Sequence, residues 1–150
     1  MQTSLKGIQL IEQFEGYSAK MYLDPAGLPS IGYGTLIDTE EELWLKTATI
    51  DRAQAELLLR KELVYIEKNI NIMVQKTINQ NQFDALISFT FNTGIYALRM
   101  SILLKKINTY PNDPTIRNEF MAWIWAGGRK LQGMINRRTA EANLYYAPMG

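Results

Sequence analysis

Glu15, Asp24 and Ser30 are the residues whose types and spacing suit a reaction, with eight residues between the two carboxylates and five between Asp24 and Ser30. Two carboxylates and a hydroxyl are enough to cleave a glycosidic bond. One carboxylic acid protonates the leaving oxygen, and the other, ionised, activates water or stabilises the oxocarbenium-like sugar. The pair alone is a weak signal, because the chain holds 15 Asp and Glu residues and so many such pairs. Glu15 equally fits a solvated surface carboxylate. The rest of the composition narrows the chemistry more sharply. There is no His and no Cys, which excludes His-based acid–base catalysis, Ser-His-Asp triads, thiolate nucleophiles and zinc held by His or Cys. A net charge of +1 argues against a dedicated nucleic-acid binder. At 150 residues the chain is expected to form a single domain.

The elements that must position these three residues are legible from local patterns. Leu5, Ile8, Leu10, Ile11 and Phe14 recur at helical spacing, Thr3 or Ser4 can cap the start, and Gly16 stops the helix directly after Glu15. A helix C-terminus already carries partial negative charge, so it is an unusual place for a carboxylate. Residues 20–36 read as short strands around the Pro25-Ala26-Gly27 turn, placing Asp24 at the end of one strand and Ser30 at the start of the next. A hairpin folded back beside the first helix would bring all three to one rim. Everything after it reads as helical. Thr39-Glu40-Glu41-Glu42 has the form of a capping box. Thr49 or Asp51 caps a long helix running to about residue 74, with Ala53, Leu57, Leu58, Val64, Ile66 and Ile70 facing inward. Within it Arg60 and Lys61, balanced by Glu56 and Glu62, read as a solvated face. Asn79 to Gln82 cap a helix over 83–93 that Gly94 ends, and Ser101 starts one over 102–109. Asp113-Pro114 opens another that Gly127-Gly128 ends near Trp125, and a last helix covers about 131–146. The start of the chain lacks the apolar stretch of a signal peptide, and the uncharged stretch 85–98 is too short and too often broken for a membrane span, so it reads as a buried helix. The order indicates an α+β class with a small sheet lobe at about 17–38 beside a larger helical lobe, and a cleft between them.

Ile11-Glu12-Gln13-Phe14-Glu15-Gly16, Tyr22-Leu23-Asp24, Gly27 and Pro29-Ser30-Ile31-Gly32-Tyr33-Gly34 together resemble the phage-type lysozymes, or endolysins, of glycoside hydrolase family 24. That family carries a Glu–eight–Asp–five–Thr spacing. The resemblance continues through Gln82-Phe83-Asp84-Ala85-Leu86 to Asn92-Thr93-Gly94, through Ser101 to Asn108, and through Trp123-Ile124-Trp125-Ala126-Gly127-Gly128 to Arg137-Arg138-Thr139-Ala140-Glu141. It implies a lysozyme-like fold and hydrolysis of the β-1,4 bond between N-acetylmuramic acid and N-acetylglucosamine in bacterial peptidoglycan. It places the general acid on Glu15, the second carboxylate on Asp24 and the water-positioning hydroxyl on Ser30, with inversion as in the T-even phage type. Ser stands at 30 where the family has Thr, and Thr35 where many members have His.

By the same resemblance Leu36, Phe91 and Asn92 touch substrate, although Leu36 also fits a core-facing strand residue, Phe91 a core side chain and Asn92 a helix end. Arg137, rather than its neighbour Arg138, is expected to meet Glu15, the other arginine turning to Glu141 or solvent. Trp123 and Trp125 read as core, and Arg129-Lys130 as solvated charges after a helix stop. No cofactor or metal is expected. The partner is peptidoglycan, without nucleic acid or stable membrane insertion, and the chain is expected to be a monomer made in the host bacterial cytoplasm and released to the wall through a separately made membrane hole. The competing readings are a lytic transglycosylase and a lysozyme-like module that binds walls without cleaving them.

Overall fold

The structure, a computed structural model, describes all 150 residues. The first helix, α1, spans Leu5–Glu15 and ends at Gly16. Gly16 adopts φ 73, a left-handed conformation that costs a glycine nothing, and its N–H donates to the Glu12 carbonyl at 3.1 Å. Ser4 precedes the helix, but its hydroxyl and N–H both donate to Asp84. Three antiparallel strands follow: β1 (Ser18–Leu23), β2 (Pro29–Gly32) and β3 (Thr35–Leu36), in that spatial order. A 3-10 helix covers Glu40–Lys46, and then come α2 (Arg52–Met73), α3 (Gln80–Thr93), α4 (Ile95–Arg99), α5 (Ile102–Thr109) and α6 (Ile116–Met121). A second small sheet pairs β4 (Trp125–Ala126) with β5 (Arg129–Lys130), and α7 (Gln132–Tyr146) closes the chain. No helix is long and apolar enough to cross a membrane.

The chain divides into two compact units, Ile11–Val64 and Met1–Leu10 with Tyr65–Gly150. The first contains the whole three-stranded sheet. Its core is Ile11, Ile31, Tyr33, Ile37, Leu45, Ile50, Ala55, Leu59 and Leu63, all buried. The second is helical apart from the β4–β5 hairpin, and α3 runs through it with every residue from Asn81 to Thr90 buried. Gly7 shows how closely helices approach there: a Cβ added to it would lie 2.8 Å from Cγ of Asp84.

Several local expectations hold. Asp51 and Gln54 cap α2 reciprocally, Asn79 and Gln82 form a capping box on α3, and the Ser101 hydroxyl accepts the Leu104 N–H on α5. Others are corrected. Thr39 precedes a 3-10 helix and makes no side-chain cap. In α2 the inward stripe is Ala55, Leu59, Leu63 and Ile70, whereas Leu57 and Val64 are exposed. Leu57-Leu58-Leu59 presents leucine over three successive 100° steps, so periodicity cannot choose the buried face. Packing chooses it: a Cβ on Gly32 would come within 3.0 Å of the Ala55 Cβ, so the helix face against the end of β2 must carry a small side chain. The helix expected after Asp113-Pro114 begins only at Ile116, because Asp113 accepts the Thr115 N–H and hydroxyl in a local turn. Gly127-Gly128 does not stop a helix. With φ of 58 and 75 the pair forms the two-residue turn of the β4–β5 hairpin, where both positions need positive φ.

Candidate functional site

The first unit holds Glu15, Asp24, Ser30 and Leu36 together. Glu15 ends α1 and lines an open depression of about 310 Å³ with Gly16, Tyr17, Ser18 and Tyr22. Its Oε2 sits beside the β2–β3 turn, 4.0 Å from where a Cβ on Gly34 would stand, and the Tyr22 hydroxyl lies 3.9 Å from the same point. Asp24 directly follows β1. Its Oδ1 accepts the N–H groups of Ala26 at 2.9 Å and Leu28 at 2.8 Å, so the carboxylate organises the turn that leads into β2 and is itself held by that turn. Its Oδ2 stays outside these two bonds. Ser30 is 1% exposed, in the central strand, with Tyr22 opposite on β1 and Leu36 opposite on β3. Leu36 is 39% exposed, which excludes the core-facing reading.

Tyr22 joins these residues. Burial pushes its phenol above the ordinary value first, and the charges of Glu15 and then Asp24 push it further. Both carboxylates therefore act on one side chain, whose strand partner is Ser30. In the sequence Tyr22 stands out only as part of the Tyr22-Leu23-Asp24 segment. Its strand register with Ser30 was the missing information.

The carboxylates around Glu15 are densely set. One turn earlier on α1, Glu12 is raised by burial and by the hydrogen bond and charge of Glu56, which pairs with Arg60 at 3.2 Å. Glu62 departs most from the expected solvated face. It lines a hollow of about 220 Å³ with Thr35, Leu36, Asp38 and Glu42. Burial raises its carboxyl to about 7, Thr35 opposes this, and Glu42, Glu15 and Asp38 add repulsion. Glu62 Oε1 and Thr35 Oγ1 are both buried without completing a hydrogen bond. Lys61 pairs with Glu42 instead, at 3.9 Å. A raised carboxyl has a direct consequence for stability. Between 4.5 and about 7 the folded chain keeps a proton that the unfolded chain has released, so stability falls as pH rises through that window and the whole penalty stands above it. Glu62→Gln, which carries no charge, is expected to match the parent near pH 4.5 and to be more stable by about 1–2 kcal/mol at pH 8, allowing for solvent screening. Thermal melts at both pH values check this. A variant no more stable at pH 8 would show that Glu62 is not held against its charge.

Phe91, Asn92 and Arg137 lie in the second unit. Asn92, near the end of α3, is exposed, and its Oδ1 accepts from Nη2 of Arg138. Phe91 beside it is half-buried. Both arginines turn to the fully buried Glu141: Arg137 Nε meets Oε2 at 3.3 Å and Arg138 Nη1 meets Oε1. On one helix they are 100° apart, yet spacings of four and three residues let both reach one carboxylate. Ser88 donates to the same Oε2 at 2.5 Å, and Arg137 Nη2 donates to the Ser88 carbonyl at 3.1 Å. Arg138 also donates to the Trp123 carbonyl at 3.1 Å and lies 5.0 Å from the Phe89 ring centre. Burial lowers the Arg138 guanidinium from its ordinary value and Glu141 opposes that shift. Trp123 is half-buried, edge-on to Phe89, in keeping with the core reading. Trp125 is not core: it is 54% exposed on β4. No group of three or more acidic side chains is arranged to hold a metal ion.

Comparison with known proteins places the chain in a family. Residues 12–141 match the model of the phage lysozyme family. An endolysin of Bacillus phage PZA is 36% identical over 97% of this chain and 55% of its own length. The endolysin of Salmonella phage P22 is 32% identical over 97% of this chain and 98% of its own. The structure of an endolysin from Escherichia coli O157:H7 phage FAHEc1 superposes with a TM-score of 0.85 at 35% identity, covering 97% of this chain and 94% of that one. The chain spans about half the length of the relatives from Bacillus phages.

Proposed function

Because the chain belongs to the phage lysozyme family, we propose that it is a muramidase that hydrolyses the β-1,4 bond between N-acetylmuramic acid and N-acetylglucosamine in bacterial peptidoglycan. The observation that carries this reading is the placement of Glu15, Asp24 and Ser30 in one unit, with Glu15 and Tyr22 lining one depression, Asp24 held at the turn after β1 and Ser30 opposite Tyr22 in the sheet. Glu15 is the general acid: its proton passes to the glycosidic oxygen as the bond to the anomeric carbon breaks. Asp24, anchored through Oδ1 by two N–H donors, takes the proton of the attacking water. Ser30 orients that water from the central strand. Leu36, exposed on the neighbouring strand, offers an apolar surface to a sugar ring. Phe91 and Asn92 keep the sugar contacts, and Arg137 the pairing with the acid, that the family resemblance implies. The carboxyl groups of an inverting pair stand ~6.5–9.5 Å apart, leaving room for the water. The protein acts as a monomer, is made in the host cytoplasm and reaches the wall through a hole made by a separate protein.

Digestion of purified peptidoglycan tests the chemistry. Hydrolysis yields fragments whose muramic ends borohydride reduces, and proton NMR of the first-formed ends shows the α-anomer. Ends that resist reduction would mean a 1,6-anhydro product and a lytic transglycosylase. A β-anomer as first product would overturn inversion, and intact walls would leave a binding module.

A further inference from the structure

Residues 125–130 are all exposed, and packing gives no account of their sequence. A two-stranded hairpin is marginal by itself. This one is tied down at its base, where the Leu131 N–H donates to the carbonyl of buried Ile124 at 3.1 Å. Yet it displays an indole. Trp125 is 54% exposed and sits opposite Lys130, whose Nζ lies 5.3 Å from the ring centre. Beyond them the Gly127-Gly128 tip is bare, since a Cβ on either would meet nothing within 4 Å. The charge is one-sided as well. No acidic residue occurs between Glu119 and Glu141, and of the four cations in that stretch Arg137 and Arg138 are buried, leaving Arg129 and Lys130 at the surface. An exposed aromatic face beside two cations suits a polymer that presents flat sugar faces and carboxylates together.

We propose that the β4–β5 hairpin is a wall-gripping surface separate from the catalytic residues, on which Trp125 stacks against a sugar ring of the glycan while Arg129 and Lys130 meet carboxylates of the stem peptides. This rests on the muramidase reading only for the identity of the polymer. A nucleic acid fits less well, because phosphate-driven binding needs several cations in a row. A membrane surface fits less well too, because interfacial anchoring needs a broad apolar face, and the hairpin offers a single indole.

The test measures binding to purified sacculi in the Glu15→Gln background, so that the wall stays intact, and cutting by the unaltered chain is assayed separately. Trp125→Ala is expected to weaken sacculus binding about 10-fold, as loss of an aromatic anchor does, and Trp125→Tyr to restore most of it. Arg129→Glu with Lys130→Glu is expected to weaken it comparably at low salt and less at high salt. On sacculi stripped of stem peptides by an amidase, the Trp125→Ala defect persists and the charge-reversal defect shrinks, because the stem carboxylates leave while each muramic acid keeps the single lactyl carboxylate that the cleavage frees. Melting temperatures stay within about 2 °C of the parent, because no side chain of the hairpin is buried. Sacculus binding by Trp125→Ala equal to that of its parent overturns the proposal. So does a defect seen only on vesicles of phosphatidylglycerol and phosphatidylethanolamine, which would make the hairpin a membrane contact. Failure of the unaltered chain to cut walls would overturn the muramidase reading alone, since binding is scored independently.

Discussion

Glu15→Gln is expected to lower wall hydrolysis by about 10²–10⁴-fold, the contribution of a positioned general acid, with little change in stability. The amide has the same shape and cannot deliver a proton to the leaving oxygen. Glu15 sits at the last position of α1, beside the Gly34 turn and the Tyr22 hydroxyl, and a side chain of equal size keeps those neighbours. The substitution also has a readout that does not depend on activity. The Glu15 charge helps hold the Tyr22 phenol above its ordinary value, after burial and ahead of Asp24, so removing it is expected to move the Tyr22 ionisation downward. An ultraviolet titration of the phenol follows this in the folded protein. A variant that keeps more than about half of the activity would refute the assignment of the acid. A dead variant with an unmoved Tyr22 would separate the acid from the tyrosine.

Glu141→Ala is expected to destabilise the fold by about 3–5 kcal/mol, the cost of removing one member of a buried ionic cluster. Arg138 and Glu141 are both fully buried and Arg137 is 4% exposed, so the two guanidinium groups would be left in the interior without their shared carboxylate. Ser88 would lose the acceptor of its hydroxyl, and Asn92 would lose the anchor behind the arginine that holds its amide. The pair of Arg60 with Glu56 provides the contrast. Its side chains are 41% and 32% exposed, and Glu56→Ala there should cost no more than about 1 kcal/mol for the ion pair. Denaturant unfolding of the two variants side by side checks the difference. A loss below about 1 kcal/mol at Glu141 would mean that both arginines can reach water when it is removed.

Sequence alone determined the features whose causes lie within a few residues. Gly16 ends α1 because its own φ is positive, so Glu15 at a helix terminus was legible before any fold was known. Asp51, Asn79 and Ser101 cap their helices through donors three residues away, and those starts were equally legible. The Glu–eight–Asp–five–Ser spacing survives as a statement about which residues share one unit, because the strands between them are too short to carry them apart. Tertiary structure decided what depends on an element distant in sequence. It selected Ala55 and Leu59 over Leu57, since the close approach of Gly32 sets the face of α2 that must be small. It turned Glu62 from a solvated carboxylate into one that resists its charge, because the hollow it lines with Leu36 desolvates it and Glu42, Glu15 and Asp38 repel its charge. It drew Arg137 and Arg138 onto one buried carboxylate through Ser88 and Asn92 on α3. Caps and turns are written in bonds between near neighbours, whereas burial and charge are set by whatever the finished fold brings against a side chain.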